Sequence, residues 1–444
     1  MIEQEAAKGP VLVVDAGNLL GSRAVVRDDE RAQAEEKARL LAASMPLGHI
    51  DAMLPGTGEL AFGLSFVQGL AAEHALPYLA ANLDCDGKSP FPASRLLERG
   101  GEEILVVGVV GNSVKAPECH VSEPIAAVQA AIRGQSPDVL VVLSGQKVAE
   151  DEALAEAVPT ISLVVNGQER QQLGQPRTLP NGGLLLAAGS RGKQLGVGNW
   201  TLVPGANGWR DSHVAQELEE QKAGYVKRAA DLRKRIAEAE DDKTKERLGK
   251  QADFMERKVG ELDQRIQASS TDAGPKNAFV NRLVDLGTDI PDHAATAALV
   301  AAAKPKIDAA MPVIATSAVA AGPFAGSSAC TGCHPTQAAQ WGATAHARAY
   351  ASLTATTNER DLACWSCHVT GALHPDGPKS PGAVAGLENV GCESCHGPGR
   401  AHVANPESGP VRRQPDEALC QGCHDGKQDG GRFDFATYLP KVTH

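Results

Sequence analysis

Cys330-Thr331-Gly332-Cys333-His334, Cys364-Trp365-Ser366-Cys367-His368, Cys392-Glu393-Ser394-Cys395-His396 and Cys420-Gln421-Gly422-Cys423-His424 are four copies of one pattern, C-x-x-C-H, all within residues 330–444. The spacing has a chemical reason. Two thiols add to the two vinyl groups of one porphyrin, and the next histidine reaches its iron from the proximal side. A C-x-x-C pair alone also serves zinc half-sites and redox or structural disulfides. Four repeats, each completed by histidine, select haem c, four per chain. The expected thioether residues are Cys330, Cys333, Cys364, Cys367, Cys392, Cys395, Cys420 and Cys423. The expected proximal ligands are His334, His368, His396 and His424.

Working outward, the rest of this tail is rich in Gly, Pro, Ser and Thr, with few apolar runs. Such a chain buries too little apolar surface to offset its conformational entropy. Four porphyrins would supply the missing core, which suits an aromatic content of only 4%. Four further histidines stand in the tail, His346, His374, His402 and His444, one for each haem. They are the distal-ligand candidates. His374 sits in a Pro-Asp-Gly turn context, where a solvated histidine is equally expected. His444 is terminal, but the aromatic and aliphatic residues Phe433, Phe435, Tyr438 and Leu439 lead into it.

Two stretches carry a resemblance. Trp341-Gly342-Ala343-Thr344-Ala345-His346-Ala347 follows the first motif. Val390-Gly391-Cys392-Glu393-Ser394-Cys395-His396-Gly397-Pro398-Gly399-Arg400-Ala401-His402 spans the third. Over residues 326–444 the chain resembles tetrahaem cytochromes of the c-five-fifty-four type. The resemblance implies that His346 and His402 are distal ligands, that the haems pack in close pairs, and that a haem without a protein sixth ligand is allowed, which leaves His374 open.

The first three hundred residues read differently. Short runs of Val, Ile and Leu recur at 11–15, 104–110, 139–143, 161–165 and 184–188. Helical patterns fall between them at 29–43, 66–74, 124–133 and 151–157. Continuous apolar strands alternating with amphipathic helices predict an α/β domain with a buried sheet. Gly56-Thr57-Gly58 lacks the third glycine and the preceding strand of a dinucleotide fingerprint.

The order of segments resembles the calcineurin-like metallophosphatases of the 5′-nucleotidase type. The matching stretches are Asp15-Ala16-Gly17-Asn18, His49-Ile50-Asp51-Ala52-Met53 with Gly56–Gly63, Ala81-Asn82-Leu83, the strand ending at Ser144-Gly145, Asn166-Gly167-Gln168-Glu169-Arg170, and Ala188–Gly196. That family uses two metal ions about 4 Å apart to activate water. Here the ligand positions hold Asn18, Thr57, Gly58, Gly145, Gln168 and Arg170, and the upstream Asp-x-His is missing. Glycine offers no ligand and arginine repels a metal. The expectation is a scaffold or docking module without phosphatase activity, and no catalytic residue is assigned. The five histidines of this part, His49, His74, His120, His213 and His293, read as ordinary core or surface residues. Cys85 and Cys119 are left as a disulfide, two thiols or a redox pair.

Residues 211–268 hold no proline and are dominated by Lys, Arg, Glu, Asp, Gln and Ala. Leu218, Tyr225, Leu232 and Ile236, then Leu248, Met255, Val259, Leu262 and Ile266, keep close to helical spacing, which predicts a helical hairpin breaking near 240–244. The expected domain plan is a metallophosphatase-like α/β sandwich over 1–207, a coiled-coil hairpin over 208–272, and a strand and helix over 273–310 completing the α/β domain. A linker follows over 311–328 and a multihaem cytochrome of low secondary-structure content over 329–444.

A net charge of −11 and a pI near 5.7 argue against a nucleic-acid surface, and no apolar run is long enough for a membrane span. Haem is attached to C-x-x-C-H outside the cytoplasm, so a periplasmic or extracellular location is expected although residues 1–5 form no signal peptide. The sequence therefore reads as an electron carrier between redox proteins, favouring basic partners. The alternative is a haem oxidoreductase acting on a small molecule at one five-coordinate haem. Homo-oligomers or larger assemblies also fit the scaffold reading.

Overall fold

Val139–Ser144 is buried at all six positions and forms the middle of the main sheet. Such an uninterrupted apolar run suits a parallel strand covered on both faces. The computed structural model describes the chain except residues 22, 115, 117, 170, 191, 207, 212, 239–240, 271–274, 288, 312–321, 380–383, 408, 410 and 426–431. In chain order the strands are β1 (Val14–Asp15), β2 (Ala52–Met53), β3 (Leu83–Cys85), β4 (Ser94–Arg99), β5 (Glu102–Val109), β6 (Cys119–Val121) and β7 (Val139–Ser144). β8 (Leu163–Asn166), β9 (Arg177–Thr178), β10 (Leu184–Leu186), β11 (Gln194–Thr201), β12 (Trp209–Asp211) and β13 (Asn277–Asp285) follow.

The main sheet runs β4-β5-β7-β8-β10-β9. β5, β7, β8 and β10 are parallel neighbours, and β4 and β9 close the edges antiparallel. Val107, Val109, Leu140, Val142 and Val164 from this sheet pack with Val128, Leu154 and Ala155 from the helices Pro124–Ala131 and Val148–Ala157. β1 and β2 form a separate parallel pair, and β11-β13-β12 a third sheet. β12 and β13 are parallel, so the chain needs a crossover between them. That crossover is the predicted hairpin: helices His213–Glu238 and Asp242–Ser270, with 239–240 outside the described residues. Leu218, Ala229, Leu248, Ala252 and Leu262 are buried in it. Lys222 meets Asp263 at 2.7 Å, and Arg233 meets Asp253 and Glu256.

The chain forms two compact units, residues 1–24 with 48–291, and residues 25–47 with 292–444. This differs from the sequence reading at two helices. Arg31–Ser44, expected within the α/β domain, packs on Ala294–Ala309 in the second unit, and the segment 273–310 is split between the units. The physical reason is that an amphipathic stripe says a helix has a buried face, not which core receives it. The second unit is otherwise built from short helices. None of those described beyond residue 326 exceeds eight residues. Its apolar cluster is small: Met311, Leu353, Trp365, Val369 and Val384. The expected linker falls largely on 312–321, outside the described residues.

Two further expectations resolve. β3 and β6 pair antiparallel with Cys85 opposite Cys119, and the two form a disulfide. Among the described residues no helix is long and apolar enough to cross a membrane.

Candidate functional site

Each C-x-x-C-H motif lies on or beside a short helix. Leu362–His368 carries the whole second motif and Cys392–His396 the whole third. Ser327–Cys330 and Glu417–Gln421 deliver the first cysteines of the other two. One helical turn brings C, C and H to one side of a porphyrin edge.

The histidines pair across long sequence distances. His334 and His402 stack with ring centroids 6.4 Å apart. His346 and His424 lie 6.2 Å apart, and His396 and His444 5.7 Å apart. A metal–imidazole bond of about 2 Å, plus roughly 1 Å from nitrogen to ring centre on each side, separates two axial rings by about 6 Å. These spacings therefore fit one iron between each pair. The ring orientation fits as well. His396 Nδ1 donates to Arg412 O at 2.6 Å and His402 Nδ1 to Gly409 O at 3.1 Å, which leaves Nε2 of each as the ring nitrogen for a metal. Burial, with His424 alongside, holds His346 below the ordinary imidazole pKa, and neutral imidazole is the ligating form.

His368 stands apart. Its Nδ1 donates to Ala349 O at 2.6 Å, which again frees Nε2, but among the described ring contacts no histidine faces it. His374 lies elsewhere. Its ring edge rests on Phe324 at 5.3 Å, and its Nδ1 accepts from Asp376 N at 3.1 Å.

The sulfurs fall in a series. Burial raises the Cys330 thiol of the first motif, and Cys392 of the third adds to that rise. Cys395 of the third raises, and is raised by, charge at Cys420 or Cys423 of the fourth. Cys423 of the fourth has its Sγ 3.7 Å from Ser366 O, inside the second motif. The order is first, third, fourth, second.

Glu393, inside the third motif, was not singled out from the sequence. It is 4% exposed, and its carboxylate accepts from Ala325 N, Gly326 N and Gly399 N at 2.8, 2.7 and 2.6 Å. It ties the entry to the first motif to the third motif and its exit. Nothing in the sequence separates this x position from Thr331, Trp365 or Gln421. Only the fold shows it buried.

In the first unit, the positions read as former metal ligands are packed by backbone. Gly17 turns at φ +97° and Asn18 at φ +65°, bringing the chain onto Gly56, where an added Cβ would meet Asn18 N at 2.6 Å. Asn18 Oδ1 accepts from Gly58 N at 2.9 Å, and Thr57 Oγ1 lies 3.0 Å from Ser113 Oγ. A Cβ on Gly145 would lie 3.1 Å from Gly111 N. Gln168 donates its backbone N–H to Asn166, and Arg170 lies outside the described residues. Among the described residues no group of three or more His, Cys, Asp or Glu side chains is placed to hold a metal. Two carboxyls stay buried here. Glu59 accepts from Asn18 N, Leu20 N and Gly56 N, yet burial pushes its pKa up to about 7. Burial likewise lifts Asp151 to about 6, against hydrogen bonds from Ser144 and Asn166.

Residues 329–397 match the family described as cytochrome c554 and c-prime. No curated protein matches the chain. Among solved structures, 46% of the chain is similar to a sulfate thiohydrolase SoxB of Thermus thermophilus, with 23% identity, 39% of that chain covered and a TM-score of 0.41. It is similar over 46% to a 5′-nucleotidase precursor, also of Thermus thermophilus, with 19% identity, 44% of that chain covered and a TM-score of 0.39. It is similar over 46% to the calcineurin-like phosphoesterase YfkN of Bacillus subtilis, with 17% identity, 76% of that chain covered and a TM-score of 0.37. The chain spans less than half the length of the first two. Residues 329–397 are thus similar to a family of c-type cytochromes, proteins whose prosthetic group is haem c.

Proposed function

We propose that the second unit binds four haem c groups, one at each C-x-x-C-H motif, and passes electrons between redox proteins outside the cytoplasm. The observation that carries this reading is the three histidine pairs at 5.7–6.4 Å, each joining a motif histidine to one from another segment. Haem c supplies one-electron storage at each motif. The chain's own contribution is to hold the imidazoles in place, to keep their Nε2 atoms free, and to fill the sixth position at three of the four motifs. Bis-imidazole iron has no open position, so those three motifs suit transfer rather than substrate chemistry. The sulfur series gives the four sites a linear order, with the first and second motifs at its ends. The Cys85–Cys119 disulfide supports an oxidising compartment.

The first unit is read as a scaffold or docking module. Its support is that the ligand positions Gly58 and Gly145 carry no side chain, and that backbone packs closely at Gly145 and at the neighbouring Gly17 and Gly56. A second reading concerns one motif. With no imidazole facing His368, the second haem would keep an axial position free for a small molecule, which favours an oxidoreductase activity there.

Pyridine haemochrome quantitation with electron-spin resonance tests both readings. The expected result is four haems per chain, three low-spin and one high-spin that binds carbon monoxide. Fewer than four covalent haems would overturn the carrier reading, and four low-spin haems would overturn the second. Two bound transition metals per chain, or phosphoesterase turnover, would overturn the reading of the first unit.

A further inference from the structure

We propose that Gln33 and Lys37, on a helix far from the cytochrome segment in sequence, are positioning residues for the second haem motif. The proposal rests on the reading that Cys364, Cys367 and His368 hold a haem.

Gln33 is a polar side chain only 2% exposed, on the helix Arg31–Ser44. A buried carboxamide is costly unless all its groups are matched. Here they are matched by backbone. Its Nε2 donates to Arg360 O at 2.8 Å and to Ile307 O at 3.1 Å, and its Oε1 accepts from Leu362 N at 3.0 Å. Gln33 thus grips both polar groups of the turn 360–362, as a neighbouring strand would.

That turn is the start of the helix Leu362–His368, which bears Cys364, Cys367 and His368. Asp361 is its N-cap, accepting from Ala363 N at 2.9 Å, and Lys37 pairs with the same Asp361 carboxylate. The grip continues on the other side. Arg360 Nε donates to Asp308 O at 3.2 Å, at the end of the helix Ala294–Ala309 on which Arg31–Ser44 packs. Ala38 and Ala42, fully buried, let the two outer helices approach closely.

All these residues belong to one unit, but residues 31–44 and 294–309 lie outside the segment 329–397 that matches the cytochrome family. The other three motifs have their proximal histidines faced by a second histidine. Among the described residues the second has no such partner, so its helix would lack the restraint that a second axial imidazole gives. The two outer helices supply a restraint instead, from the N-terminal end of the motif helix. The geometry assigns Gln33 the role of fixing where His368 stands, and Lys37 that of holding the N-cap carboxylate in place.

The test uses the full haem-loaded protein. In Gln33→Met, amide hydrogen exchange in peptides covering 359–368 should rise about tenfold, the loss expected of a buried hydrogen-bond set. Peptides covering 327–334, 392–396 and 417–424 should not change. The midpoint potential of the carbon-monoxide-binding haem should shift while the other three hold theirs. Lys37→Met should give a smaller effect of the same kind, and Lys37→Arg should restore the native values. If Gln33→Met does not accumulate, the Lys37 pair decides. Unchanged exchange at 359–368, or a rise spread over all four motifs, overturns the proposal. A mass of the 359–368 peptide without covalent porphyrin in the native protein overturns the haem reading, while the exchange result still reports on the grip itself.

Discussion

Replacing Glu393 by alanine should weaken the second unit by several kcal/mol, and the size of the effect follows from its partners. The carboxylate is 4% exposed and accepts three backbone N–H groups, from Ala325, Gly326 and Gly399. Hydrogen bonds to charged groups contribute about 1.5–3 kcal/mol each, and a buried N–H left without a partner costs about 1–3 kcal/mol. Three bonds sharing one acceptor are not additive, so we expect a loss of about 4 kcal/mol. Domain stabilities are only about 5–15 kcal/mol. Glu393→Gln should fall between, because its NH₂ would oppose one of the donors. Glu407→Ala, at an exposed position of the same segment, should change stability by about 0.5 kcal/mol or less. The assay is urea unfolding of the haem-loaded protein followed in the Soret band. A loss below about 1 kcal/mol for Glu393→Ala would refute the reasoning, since it would mean that the three donors find other partners.

The first unit should grow more stable as pH falls from about 6.5 to 4. Asp151, raised from 3.8 to about 6 by burial, binds its proton more tightly folded than unfolded, so its charge costs about 2–3 kcal/mol above pH 6. Asp151→Asn should flatten that dependence in thermal melts, and an unchanged slope would discount Asp151 as its source. Cys85→Ser should cost the same unit about 3–4 kcal/mol, since the bridge closes a loop of 34 residues, as read by urea unfolding with and without reductant. Deleting the third haem with Cys392→Ala and Cys395→Ala should lower haem content below three per chain, because that motif adjoins two others. Deleting the second, at the end of the series, should leave three, and equal losses would contradict the series.

The haem motifs were legible because covalent chemistry fixes their spacing whatever the fold. The central strands were legible for a related reason: a strand buried on both faces must be apolar throughout, as Val139–Ser144 is. Partnership was not legible. His334 pairs with His402 and His424 with His346, and no local pattern records which of the spare histidines faces which motif. Cys85 and Cys119 were open for the same reason, since only the β3–β6 register sets them opposite one another. Gln33 carried no signal at all. A glutamine on an alanine-rich helix reads as a solvated residue until the turn 360–362 is placed against it. The ligand positions of the first unit lie between these extremes. Their substitution by Asn18, Gly58 and Gly145 is visible in sequence, but the filling of the space by glycine backbone is visible only in the fold.

The small apolar cluster of the second unit explains why its polar contacts are so concentrated. Five buried side chains around Trp365 cannot by themselves order more than a hundred residues. The porphyrins would add apolar area, but a flat disc bound at one edge leaves its own orientation loose unless the protein defines it from both faces. At three motifs a second imidazole does so. Among the described residues the second motif has no such imidazole, and the buried hydrogen bonds of Gln33 and the N-cap of Asp361 gather there. Glu393 plays the corresponding part between the first and third motifs, where two attachment helices must stay in register for their sulfurs to meet. Rigid polar anchors therefore stand where apolar packing is weakest. The proposed electron-transfer chain would need this, because its haems would have to keep fixed separations.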